Sequence, residues 1–194
     1  LLFWTIRMLY LVEFADWDSQ VKIGYGCGDG SALGNMGYTD NMKYHTGTTQ
    51  ASKDTYGFGV QYRYIEGLWD NVCDFCEGIY FSSSSIYGIL NPADFSETTG
   101  GTLIGYRPVT TGVTSKMTEP NESGFEWALY ASEVNGSDTT YVTDNCDYNN
   151  SGGLCVGGSY TPQTKLYGLF YLNGALTSQV GKHATVGSRL MVLP

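Results

Sequence analysis

Cys73 and Cys76 form a C-x-x-C pair, the spacing of a redox dithiol or of half a zinc site. No second C-x-x-C exists, and neither His45 nor His183 stands at ligand spacing to this one, so no metal is expected. Cys146 and Cys155 could close a loop as a disulfide in an oxidising compartment; an intracellularly assembled particle would keep every thiol reduced. Cys27 leaves the total of five odd. His45 and His183 could each act as a general base, yet neither accompanies a nucleophile motif such as G-x-S-x-G. Glu66, Asp70, Asp74 and Glu77 could pair as two carboxylates for glycoside hydrolysis. The run Gly24-Tyr25-Gly26-Cys27-Gly28-Asp29-Gly30 holds a G-x-G but leads into more loop, not into the helix of a phosphate-binding unit. Asp16, Asp18, Asp29 and Asp40 lack the spacing of a calcium loop. The chain is read as a non-enzyme with no cofactor.

The elements that would position a site follow from patterning. Leu1 to Phe14 is apolar apart from Arg7 and Glu13. Leu2, Ile6, Leu9 and Val12 or Glu13 fall at helical spacing, which predicts an amphipathic helix. It is too short and too charged to span a bilayer, and it lacks a basic leader and cleavage site. The chain does not open on Met, which suggests a start inside a longer protein. Asp16-Trp17-Asp18-Ser19-Gln20 caps a turn, and a Gly-rich stretch runs to Gly37. Residues 38 to 60 read as hairpins and loops, and Trp69 to Ile79 as strand or turn. Residues 82–124, with four serines in a row and three of the five prolines, read as an irregular insert. Phe125 to Tyr130 is a short strand or helical turn, and Asn135 to Gly153 a polar loop. Leu154-Cys155-Val156 leads into a final sheet, with further strands over 168–174 and 186–194. One helix followed by short strands gives an α+β fold in one domain over residues 1–194.

Composition narrows the partners. Ten Lys and Arg against 19 Asp and Glu give a formal charge of −9, and no basic stripe offers a nucleic-acid surface. Sixteen tyrosines are the excess. Tyr supplies rigid contact area with one polar handle, the property that recognition surfaces use. Tyr160, Tyr167 and Tyr171 lie in the least patterned stretch and are expected to face ligand.

Two motifs carry a resemblance. Gly157-Gly158-Ser159-Tyr160 with Val186-Gly187-Ser188-Arg189-Leu190 is similar to the GGSW…(L/I)GFR pattern that closes the C-type-lectin-like domains of formylglycine-generating enzymes. It looks closer still to the variable proteins of diversity-generating retroelements and to related phage and prophage tail and adhesion proteins. Tyr62-Arg63-Tyr64-Ile65-Glu66-Gly67-Leu68-Trp69-Asp70-Asn71-Val72-Cys73-Asp74-Phe75-Cys76-Glu77-Gly78-Ile79 resembles the family's R-G-(I/L)-E-N-(L/P)-W-G-N-V-(W/Y)-E-W-(V/C)-D-G-I segment. Tyr64 and Gly67 replace Gly and Asn, Asp70 replaces Gly, and Cys73 and Phe75 stand where aromatics are usual.

The resemblance implies a C-type-lectin-like fold of the formylglycine-generating-enzyme subtype, loop-rich with short antiparallel sheets. It puts the four carboxylates in scaffold and makes the cysteines buried, structural thiols. The enzymes' catalytic cysteines lie between the GGS and GFR motifs, where this chain has none, so that activity does not carry over. By position, a variable ligand-binding surface would span 159–183. Its side chains would be Tyr160, Thr161, Gln163, Lys165, Tyr167, Tyr171, Asn173, Gln179, Lys182 and His183, with Gly168-Leu169-Phe170 as fixed scaffold. Arg189 would tie the last strand to a carboxylate. The expected role is a receptor-binding protein of a phage tail or bacterial surface, diversified by a retroelement. The alternative is a non-diversified tail or adhesion protein of the same fold. The partner would be a protein or glycan receptor, with no membrane insertion, and a homo-oligomer is compatible. Glu119-Pro120-Asn121 matches a calcium-lectin triplet in letters but lacks the W-N-D strand that normally follows.

Overall fold

The computed structural model describes residues 2–24, 44–46, 60–69, 72–96, 98–137, 139–148, 151–158, 166–176 and 186–187. Two helices open the chain, α1 (Leu2–Phe14) and α2 (Ser19–Lys22). The strands are β1 (His45–Thr46), β2 (Gln61–Tyr62), β3 (Ile65–Glu66), β4 (Cys73–Ser82), β5 (Ser85–Gly88), β6 (Thr102–Tyr106) and β7 (Gly112–Val113), then β8 (Lys116–Thr118), β9 (Tyr130–Glu133), β10 (Asn145–Asp147), β11 (Gly152–Val156), β12 (Leu172–Leu176) and β13 (Val186–Gly187). The fold is α+β, as the patterning suggested. No described helix is long and apolar enough to cross a membrane.

The predicted N-terminal helix is present, but it turns a different face inward. Phe3, Trp4, Ile6, Arg7 and Tyr10 are buried, a stripe with i, i+3, i+4 and i+7 spacing. Leu2, Leu9 and Val12 are exposed, Val12 to 86%. The reason is packing. Aromatic rings bury more area than Leu or Val, and the Trp4 indole N–H reaches the Leu129 carbonyl at 2.9 Å. Asp18 caps α2, its carboxylate accepting the Val21 N–H at 2.9 Å.

Seven strands of the main sheet run in the order β6-β5-β4-β11-β12-β10-β7, and β13 pairs β4 in parallel. Residues 82–124 are therefore not an irregular insert: they supply β5, β6 and β7 to this sheet and β8 to a two-stranded one with β9. Ser83 at φ 55° makes the tight turn between β4 and β5, so the serine run is a hairpin. The expected polar loop over 135–153 likewise contains β10. The stretch 168–171 is a turn, and its strand begins only at Leu172.

Alternation across the sheet sorts side chains to two faces. Leu154, Val156, Leu172 and Cys146 join the main core with Trp69, Phe81 and Phe170. The register places Phe75 beside Cys155, Cys155 beside Asn173, and Asn173 beside Asp147. On this second face Cys73, Cys155 and Tyr171 form a smaller cluster flanked by Phe75 and Tyr167.

Candidate functional site

The turn Leu166–Tyr171 projects Tyr167 from between β10 and β12, and buried groups grip it almost wholly by its backbone. The Asp144 carboxylate accepts the Gly168 N–H at 2.8 Å and the Phe170 N–H at 2.7 Å. Ser19 Oγ accepts the Leu169 N–H at 2.8 Å. Arg7 donates through Nε to the Leu169 carbonyl at 2.8 Å and through Nη2 to the Tyr171 carbonyl at 3.0 Å. The Asn145 N–H closes onto the Leu166 carbonyl at 2.7 Å, and the Tyr171 N–H onto Gly168 at 3.1 Å. Irregular backbone is tolerated inside a protein only when its polar groups are paired in this way.

Arg7 is fully buried. Its guanidinium lies 4.8, 5.4 and 5.6 Å from the ring centres of Phe3, Trp4 and Phe170, so the aromatic faces offset part of the lost hydration. Burial still lowers its pKa to about 10. Burial also pushes the Asp144 carboxyl up to about 7, outweighing its two N–H bonds and the nearby Arg7. Gly168 is dictated by this crowding: a Cβ there would sit 2.6 Å from Ser19 Oγ and 2.7 Å from Asp144 Oδ1.

On the second face the Tyr171 hydroxyl donates to Asp147 Oδ2 at 2.7 Å, and Asn145 Nδ2 donates to Asp147 Oδ1 at 2.9 Å. Burial raises the pKa of Asp147, and the hydrogen bond from Tyr171 partly opposes the rise. The rings of Tyr167 and Tyr171 meet edge to face at 4.9 Å.

The ten residues expected to bind ligand divide three ways. Tyr160, Thr161, Gln163, Lys165, Gln179, Lys182 and His183 lie outside the described residues, as does Arg189. Tyr167 and Asn173 are half-buried on the second face, Tyr167 at the flank of its cluster and Asn173 between Cys155 and Asp147. Tyr171 is a correction: only 2% of it is exposed, because its ring roofs Cys73 and Cys155 and its hydroxyl is held by Asp147. It supports the surface and does not present itself there. The residues that hold the turn (Arg7, Ser19, Asp144 and Asn145) were not nominated. Their one sequence signal was a lone Arg inside an apolar helical run.

The other candidate chemistry is dispersed. Cys73, Cys76, Cys146 and Cys155 are free thiols. Cys146 and Cys155 cannot pair, since β12 separates their strands and they face opposite sides of the sheet. Cys73, whose thiol contacts the Gly158 carbonyl, is pushed up to about 12 by burial, and Cys76 likewise. Glu66 lies on β3, in another sheet, while on β4 Asp74 is buried and Glu77 exposed. Asp70 and Cys27 fall outside the described residues. His45 lies on β1. Glu119-Pro120-Asn121 follows β8 in a loop with Pro120 buried and Asn121 exposed. No group of three His, Cys, Asp or Glu able to hold a metal occurs among the described residues.

The two motifs of the sequence converge. β4 carries Cys73 to Ile79 of the long motif, between β11, which runs into Gly157-Gly158, and β13, which begins the last motif. Gly157, at φ 85°, packs against the Leu68 carbonyl so closely that a Cβ would collide with it. Compared with family models, curated proteins and solved structures, the chain matches none of them.

Proposed function

We propose that this chain is a ligand-binding protein of the C-type-lectin-like, retroelement-diversified type, displaying a variable surface between Ser159 and His183 on a phage tail or bacterial surface. The observation that carries the reading is how the turn 166–171 is held. Its anchors come from α1, α2 and the start of β10, and they engage main-chain atoms. The conformation of the turn therefore does not depend on the side chain at position 167. A scaffold that keeps its backbone while surface side chains change is what a diversified binder requires. The convergence of both motifs around β4 supports the lectin-like scaffold.

The binding residues in this reading are Tyr160, Thr161, Gln163, Lys165, Tyr167, Asn173, Gln179, Lys182 and His183. Tyr171 moves to the supporting layer. The receptor is a protein or glycan on another cell.

A displayed library tests this. Randomising those nine positions should leave most variants folded by protease resistance, and selection against an arbitrary panel of soluble proteins should recover binders. Randomising Arg7, Asp144 and Gly168 should leave few folded. A library at the nine positions that unfolds as often as one at the three anchors overturns the proposal.

A further inference from the structure

Asp147 stands on the second face without a counter-charge. It is half-buried, and its carboxylate accepts from the Tyr171 hydroxyl and from Asn145 Nδ2, both neutral donors. Among the described residues Lys22, Arg63 and Lys116 pair with Asp16, Glu13 and Glu133 instead. Arg7 grips the turn, and Arg107 donates to the carbonyls of Ser83, Pro108 and Tyr148. A carboxylate offers about four acceptor sites, so about two stay open here. Burial raises its pKa, as it does for a charge that has lost solvent and gained no cation. An aromatic ring lies close by. Tyr171 holds Asp147 by its hydroxyl, and the half-buried Tyr167 ring meets the Tyr171 ring edge to face at 4.9 Å.

We propose that Asp147 and Tyr167 form a subsite for a guanidinium group, the side chain of an arginine on a protein receptor. The proposal rests on the reading of 159–183 as a binding surface and gives that surface a charged centre. The chemistry of the site selects the occupant. An anion would face an uncompensated carboxylate, and a neutral group would strip it of water without pairing it. A guanidinium suits the place better than an ammonium. It is planar and more weakly hydrated, it donates two N–H bonds to one carboxylate, and it stacks on a tyrosine face. Glycans do not ordinarily carry this group, whereas arginine is enriched at the centres of protein interfaces. The net charge of −9 draws cationic partners toward the chain. Asp147 lies on β10, outside 159–183, so the preference for arginine belongs to the scaffold and persists when position 167 changes.

The wild-type chain is titrated with N-acetylarginine amide, N-acetyllysine amide and the neutral isostere N-acetylcitrulline amide, followed by the NMR amide resonances of Asn145, Asp147 and Asn173. Arginine should bind with a dissociation constant of about 1–10 mM, lysine more weakly, and citrulline about tenfold more weakly or worse. Asp147→Asn keeps an acceptor oxygen for Tyr171 and should erase the preference for arginine over citrulline. Tyr167→Ala should keep that preference and weaken arginine about threefold. Circular dichroism and the urea midpoint check that both variants fold. Arginine that binds no tighter than lysine or citrulline overturns the proposal, as does no binding up to about 50 mM. A preference that survives in Asp147→Asn overturns it too. These failures leave the diversified surface standing, because its library is judged on other ligands. A library that unfolds at the nine positions, beside a wild-type chain that binds arginine, removes the diversified surface and leaves the subsite.

Discussion

Replacing Gly168 by Ala tests the gripped turn with one methyl group. The added Cβ would lie 2.6 Å from Ser19 Oγ and 2.7 and 2.8 Å from the two Asp144 oxygens, where ordinary contact begins at 3.4 Å. The neighbours must therefore retreat by roughly 0.6 to 0.8 Å. They hold the amides of Gly168, Leu169 and Phe170 at 2.7–2.8 Å, so that retreat carries those bonds past the usual limit of about 3.2 Å. A buried N–H left without an acceptor costs about 1–3 kcal/mol. Gly168 does not have a left-handed φ, so Ala fits its backbone and gains about 0.4–1 kcal/mol from a less flexible unfolded chain. The clash outweighs that gain, and a net loss of about 2–4 kcal/mol is expected, against a typical total of about 5–15. Urea unfolding followed by tryptophan fluorescence should show a lower midpoint at unchanged slope. Removing the nearest obstacle by Ser19→Ala should make the Gly168→Ala step less costly in that background. A Gly168→Ala protein within about 0.5 kcal/mol of wild type would refute the packing of Asp144 and Ser19 against this glycine.

Asp144 predicts a pH dependence of definite sign. Its folded pKa of about 7 stands above the ordinary 3.8, so between those values the native state keeps a proton that the unfolded chain has released. The group's contribution is full below about pH 4 and is lost as pH rises through 7. The wild-type urea midpoint should fall across that window relative to Asp144→Asn; parallel profiles would refute it. Alkylation of the native protein at pH 8, mapped by mass spectrometry, should spare Cys73, Cys76, Cys146 and Cys155 until the chain unfolds. Prompt labelling of Cys73 or Cys155 would show that the second face is open.

Local signals were legible where the cause is local. The apolar run to Phe14 marks the helix, Asp16 to Gln20 marks a capped turn where the structure starts α2, and Leu154 to Val156 marks the way into the final sheet. What stayed hidden depends on partners far along the chain. Arg7 looks like an interruption of an apolar face, yet its acceptors at Leu169 and Tyr171 lie 162 and 164 positions away. No window of sequence contains that exchange. The strand β4 was obscured for another reason: its pairing with β11 skips Glu77 to Ile79, and Gly78 at φ 85° shifts the alternation midway. The period breaks, and the stretch reads as strand or turn. The second face of the sheet was equally opaque, since the row Phe75, Cys155, Asn173, Asp147 draws on four separate strands.

These hidden contacts bear on where a binding surface can tolerate change. Among the described residues the anchors of the turn 166–171, Arg7, Ser19, Asp144 and Asn145, lie outside residues 159–183, and they grip carbonyls or amides, the first three from buried positions. The exceptions are instructive. Gly168 is fixed because its Cα is crowded by the anchors, and Leu169 and Phe170 because their side chains fill the core. Tyr171 is fixed because its hydroxyl meets Asp147 and its ring covers two thiols. Tyr167 remains: half-buried, it meets the frame by its ring, edge to face with Tyr171 and at the flank of the small second-face cluster. A retroelement that altered codons indiscriminately across 159–183 would break this frame at 168–171. One that spared those four positions and altered their neighbours would preserve it, so the distribution of tolerated substitutions, dense at 167 and sparse at 168–171, is the imprint that diversification on this scaffold must leave.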